Sequence, residues 1–128
     1  MKTRLILIFC ILQFSNGYSQ TYHSSTYTVW TIDENKEHPN LKEQIGSKES
    51  STLIVLSQMK IKMIGNIFNS TYMITKKSIE GDTEIYDTKS TQTGDHCRFV
   101  LKTKENRMYL RDYDSEDMKG VLFWFVIK

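Results

Sequence analysis

His96 and Cys97 stand side by side, and an imidazole beside a thiol is the start of a nucleophile and base pair. Geometry argues against it. Neighbours on a strand point to opposite faces, so His96 can take the Cys97 proton only if the strand breaks there. Cys97 shares its face with Phe99 and Leu101, a pattern that predicts a buried, inert thiol. No other nucleophile, base and orienting group stand together in the chain. The expected class is a non-enzymatic protein; the alternative is a small hydrolase or lyase with a dispersed Tyr, Asp and His site.

Metal chemistry has equally little local support. His23, His38 and His96 are far apart, with no HxxxH spacing and no paired cysteines. Asp112, Asp114 and Glu116 alternate as the first ligands of a calcium loop do. The sixth and twelfth positions, which need Gly and Glu, hold Asp117 and Phe123 instead. The run reads as a charged hairpin loop, and no cofactor is expected. Asn69-Ser70-Thr71 has the form of a glycosylation sequon but falls in an expected strand.

The aromatic side chains are the stronger signal, at 12% of the chain. They serve either as packing or as the wall of a cavity for a small apolar ligand, since an eight-stranded barrel is just wide enough for one or the other. Trp30, Tyr72, Phe99, Phe123, Trp124 and Phe125 are the candidate ligand-binding residues. A protein partner is the other expected occupant.

The elements that must carry these residues are strands. Tyr27 to Asp33 is rich in β-branched and aromatic residues. Met59, Ile61 and Met63 alternate with Lys60 and Lys62, and Cys97, Phe99 and Leu101 with Arg98, Val100 and Lys102, the pattern of half-buried strands. Thr52 to Ile64 is expected as one kinked strand or two short ones. Turns fall at Gly65-Asn66, Glu80-Gly81-Asp82 and Lys104 to Arg107. Within residues 39–46, Asn40 as cap, Glu43 and the terminal Gly46 suggest a short helix with a Leu41 and Ile45 stripe, against a plain loop. Short strands every ten to fifteen residues predict an all-β antiparallel meander of about seven strands, closed into a barrel or folded as a sandwich.

The N-terminus reads as a signal peptide over residues 1–19. Lys2 and Arg4 precede the apolar run Leu5 to Leu12, and Gly17-Tyr18-Ser19 has the small-x-small form of a cleavage site. That run is too short to span a bilayer, which takes about 20 residues. Phe9 stands where acylation at Cys10 would need a small residue. Residues 20–26 are expected to be a flexible lead-in and residues 27–128 one small domain, secreted or periplasmic. Without Lys2 and Arg4, 17 basic residues fall to 15, matching 15 acidic ones. Four of the 17 are arginine, so planar forks for phosphate are few and nucleic acid is not an expected partner. Cys97 alone remains after cleavage, so the domain must be held by its core rather than by a disulfide.

Tyr27-Thr28-Val29-Trp30, Met59-Lys60-Ile61-Lys62-Met63, Gly94-Asp95-His96-Cys97 and the aromatic last strand resemble the small secreted β-barrel proteins of Bacteroidetes-type bacteria. That resemblance implies a barrel over about residues 27 to 127 and no activity to transfer. Lipocalins are similar in architecture only, because their first strand carries Gly-x-Trp and Thr28 stands in the glycine position here.

The last strand poses the sharpest question. Val121, Phe123, Phe125 and Ile127 share one face, and Leu122, Trp124 and Val126 the other. An ordinary barrel strand needs one apolar face, so something must lie over Trp124: the Leu41 and Ile45 stripe, or a partner. A transmembrane β-barrel would also end on such a strand, but it needs strands of nine or more residues that this pattern rarely supplies.

Overall fold

The computed structural model describes residues 19–33, 41–116 and 120–128. Eight strands follow one another: β1 (Ser19–Ile32), β2 (Leu41–Ser57), β3 (Lys60–Gly65), β4 (Ser70–Glu80), β5 (Thr83–Ser90), β6 (His96–Lys102), β7 (Arg107–Asp112) and β8 (Val121–Val126). Each pairs antiparallel with the next, and β8 returns to β1, closing the meander into a barrel. The closure pairs Tyr27 with Phe125, Val29 with Phe123 and Thr31 with Val121. Closure leaves no sheet edge along that stretch, which is what a chain end as apolar as β8 requires.

Alternation sets the two sides of the wall. Ile54, Leu56, Ile61, Met63, Phe99, Leu101, Met108 and Phe125 point inward and form one buried cluster. Phe99, Leu101 and Phe125 are fully buried, so side chains fill the middle of the barrel. Lys60, Lys62, Arg98, Lys102 and Arg107 lie at the alternate, outer positions of their strands. Short turns join β2 to β3 and β4 to β5. The β4–β5 hairpin closes on Gly81, whose φ of 61° lies in the left-handed region that a side chain resists.

The all-β antiparallel meander is as expected, with eight strands among the described residues, close to the expected seven; Thr52 to Ile64 takes the two-strand form, divided into β2 and β3 at Gln58 and Met59. Two expectations are corrected, the short helix and the loose lead-in. Leu41 to Gly46 is the start of β2, not a helix: Leu41 pairs with Ile32, Glu43 with Thr31 and Gln44 with Trp30. One helical turn is marginal alone, whereas pairing with β1 satisfies the same backbone groups. Pro39 and Asn40 lie outside the described residues. Residues 20–26 are not a loose lead-in either. They belong to β1, where Ser19 to Ser24 pair with Ser57 to Thr52 of β2. Ser24 shares the inward face of Tyr22, and the register shift between Ser24 and Thr26 brings Tyr27 inward in turn; the Ser24 hydroxyl donates to the Thr26 carbonyl at 2.8 Å.

Candidate functional site

The six aromatic candidates do not share one wall. Tyr72, Phe99, Phe123 and Phe125 point into the barrel, where Tyr72 packs edge-on against Phe99 at 4.9 Å and Phe68 joins Phe123 and Phe125 at 5.2 and 5.0 Å. They fill the core. Trp30 and Trp124 lie outside, and their rings meet at 5.6 Å. Tyr109 reaches Trp124 from the other side, also at 5.6 Å, and the Arg107 guanidinium sits 4.2 Å above the Trp124 ring. Trp124 is therefore covered by neighbours on the adjoining strands, not by Leu41 and Ile45; Ile45 is itself 55% exposed.

His96 and Cys97 also separate across the wall. Cys97 is buried in the core, and burial, followed by the nearby Asp112 and Asp95 carboxylates, pushes its thiol up to about 12. His96 begins β6 on the outside, stacks on Tyr113 at 4.8 Å and approaches Asp87 at 3.5 Å. Burial also pushes the Tyr72 phenol up to about 12, with Cys97 adding to the effect. Such a phenol and thiol stay protonated at neutral pH and are poor bases and nucleophiles.

The acidic loop is occupied by its own backbone. Asp112 Oδ1 accepts hydrogen bonds from the Asp114 and Ser115 N–H groups, both at 3.0 Å, and Asp114 Oδ2 accepts one from the His96 N–H at 2.6 Å. No metal-ligating cluster of three or more groups occurs among the described residues. His23 lies in β1 against Ser51, rather than in a loop, and His38 is outside the described residues. Asn69 sits exposed in the β3–β4 connection, not in a strand.

Among the described residues, one end of the barrel is open. Gln20 and Tyr22 from β1, Leu56, Ser57 and Gln58 from the end of β2, Lys77 and Ile79 from β4, and Glu84 and Tyr86 from β5 surround a mouth of about 750 Å³. Its floor is apolar, because Leu56 and Tyr86 also belong to the core and Tyr22 packs against it. Its rim is polar. Lys77 pairs with Glu84 at 3.6 Å and lies 5.3 Å over the Tyr86 ring, while Lys104 pairs with Asp82 at 3.1 Å. The Tyr22 hydroxyl donates to Gln20 Oε1 at 2.8 Å.

None of the six aromatic candidates lines this mouth. Tyr22, Leu56, Ile79 and Tyr86 do, and the signal that could have found them is parity. Ile79 shares the inward face of β4 with Lys77, opposite Tyr86 and Glu84 of β5. Yet Ile79 is 63% exposed, an inward apolar side chain that the described residues leave largely uncovered.

Comparison with family models, with curated proteins and with solved structures finds no match to this chain. The fold defines the class, a closed eight-stranded antiparallel meander barrel.

Proposed function

We propose that this chain is an exported, non-enzymatic binding barrel, and that it takes a small, partly apolar ligand at the mouth bounded by Tyr22, Leu56, Ile79 and Tyr86. The observation carrying this reading is Ile79: it faces inward yet remains 63% exposed, above an apolar floor and beside an opening of about 750 Å³. Sites for small molecules fall in this size range, are mostly apolar with a few polar groups, and favour the mouths of barrels. The filled middle of the barrel directs the ligand to the mouth rather than to a central cavity.

The signal-like N-terminus supports export. The polarity of the wall supports a barrel that works in water. Lys60, Lys62, Lys102 and Arg107 stand outside and the apolar cluster inside, the reverse of a barrel whose outer band faces lipid. No helix of the described residues is long and apolar enough to cross a membrane.

Titration of the isotope-labelled protein with N-phenyl-1-naphthylamine, a neutral apolar probe, tests the site. Amide shifts centred on Tyr22, Leu56, Ile79 and Tyr86 are expected, together with weaker binding by an Ile79→Asp variant. Probe binding that leaves those amides unmoved, or no binding at all, overturns the reading. A hydrolase screen on the same protein and on His96→Ala addresses the enzyme alternative: turnover that the substitution abolishes would establish it.

A further inference from the structure

The mouth is open because β3 is short where β4 is long. β3 begins at Lys60, paired with Met73, and its last backbone contact to β4 is the Ile74 N–H donating to the Met59 carbonyl at 2.9 Å. β4 continues to Glu80, paired through its other edge with β5. Among the described residues, the edge of Lys76 to Ile79 that faces away from β5 has no backbone partner.

The direction of those unpaired groups follows from the strand itself. Along one strand, residues that share a side-chain face also share the edge toward which their N–H and C=O point. Ile74 packs against the core and directs its N–H to the β3 side. Lys77 and Ile79 line the mouth from that same inner face, so their N–H and C=O groups also point to the open edge. Across the opening stand Gln20, Tyr22, Ser57 and Gln58. A stretch of sheet edge and a cleft with an apolar floor therefore coincide.

This geometry leads us to infer that the ligand of the mouth is an extended peptide, which adds as a strand beside β4 and hydrogen-bonds to the main chain of Lys77 and Ile79. The inference rests on the mouth being the binding site. Strand addition draws affinity from main-chain hydrogen bonds and selectivity from alternate side chains. Here the peptide's inward side chains would lie over Leu56, Tyr22 and Ile79, which calls for apolar residues. Its outward side chains would lie beside Lys76, which has no ion-pair partner among the described residues. A cross-strand carboxylate answers that charge. The class is a short peptide alternating apolar and acidic residues. Lysine on an edge also serves to repel unwanted strands, but repulsion of that kind does not extend to an acidic strand.

The probe is a capped pentapeptide alternating valine and glutamate, followed by amide hydrogen exchange and chemical shifts on the full chain. Added peptide should slow exchange at the Lys77 and Ile79 amides and leave the β5 side of β4 unchanged. The same peptide N-methylated at its central valine, which removes one main-chain donor, should bind about tenfold more weakly. Lys76→Glu should weaken the acidic peptide and favour one alternating valine with lysine. If the naphthylamine probe occupies the mouth while the peptide leaves the Lys77 and Ile79 amides unprotected, the peptide inference fails and the site stands. If neither ligand perturbs the mouth, both readings fail. Protection of these amides in the free protein, with a mass doubled in solution, would assign the edge to a second copy of the chain and overturn the peptide.

Discussion

Arg107 holds its guanidinium 4.2 Å above the indole of Trp124, from the neighbouring strand β7. This contact answers the question raised by the two-faced last strand. The inner face, Phe125 with Phe123, belongs to the core; on the outer face Trp124 is shielded by a cation and two further rings, Trp30 and Tyr109, while Val126 is left 51% exposed. A long basic side chain can cover apolar surface with its stem while its head stays wet.

Removing that cover should be measurable but small. Arg107→Ala is expected to cost about 0.5–1 kcal/mol, the scale of a cation–π contact at a part-exposed site. Urea unfolding would read the loss, and tryptophan emission should shift to longer wavelength as Trp124 meets more water. Arg107→Lys should recover part of both effects.

Cys97 and Tyr72 should weaken the fold in alkali. Burial raises the thiol from 9.0 and the phenol from 10.0, each to about 12, so the folded state keeps protons that the unfolded chain releases. Their contribution is complete below about pH 9 and is lost as the pH rises toward 12. Unfolding free energy measured over this window should fall, and the slope should flatten in Cys97→Ala and in Tyr72→Phe. At pH 8 the native thiol should react with a disulfide reagent only as fast as the chain opens.

Asp87 behaves in the opposite sense. Burial alone would raise its carboxyl, but the Arg98 hydrogen bond at 2.9 Å, the Arg98 charge and His96 together bring it below its ordinary 3.8. A depressed carboxyl stabilises the fold above the unfolded value and loses that effect as the pH falls below it. Arg98→Ala should raise the Asp87 titration midpoint seen by carbon NMR and cost about 1 kcal/mol at neutral pH. The stability gap between the wild type and this variant should narrow as the pH falls through the Asp87 titration.

Gly65 should resist substitution although its backbone is ordinary. A Cβ there would stand 2.7 Å from the Ser51 carbonyl oxygen and 3.3 Å from Thr52 Cα, both backbone atoms that cannot step aside. Gly65→Ala is expected to cost about 1–3 kcal/mol, the usual range for overpacking. Thermal unfolding gives the value; Gly94→Ala is not a control for space, since its φ of 77° adds strain of another kind.

Much of the barrel was legible in the chain because side-chain alternation is local. Ile61 and Met63 against Lys60 and Lys62 group the side chains of β3 into two faces, and Cys97, Phe99 and Leu101 do the same for β6. Met59, expected on the same face as Ile61, instead stands before β3 and is 63% exposed. The misreadings came where local signals compete with distant partners. Asn40, Glu43 and Gly46 resemble helix punctuation, yet Glu43 and Gly46 face Thr31 and Val29 of β1. Thr21 to Thr26 looks featureless until β2 supplies its register. The site was harder still, since its residues stand at 20–22, 56–58, 77–86 and 103, and Tyr22 and Ile79 carry no motif.

The sequence by itself determined strand character, turn positions such as Gly81, and which residues of each strand lie on the same side. It did so because period-two alternation and backbone preference act within a few residues. Only the tertiary structure decided which side was inside, and so parted Phe99 and Phe125 from Trp30 and Trp124. It also decided the stagger that carries β4 past β3 and leaves Lys77 and Ile79 facing an open cleft. Stagger belongs to the closed barrel as a whole, because strand number, tilt and shear must agree around the full circuit before any one edge is left free.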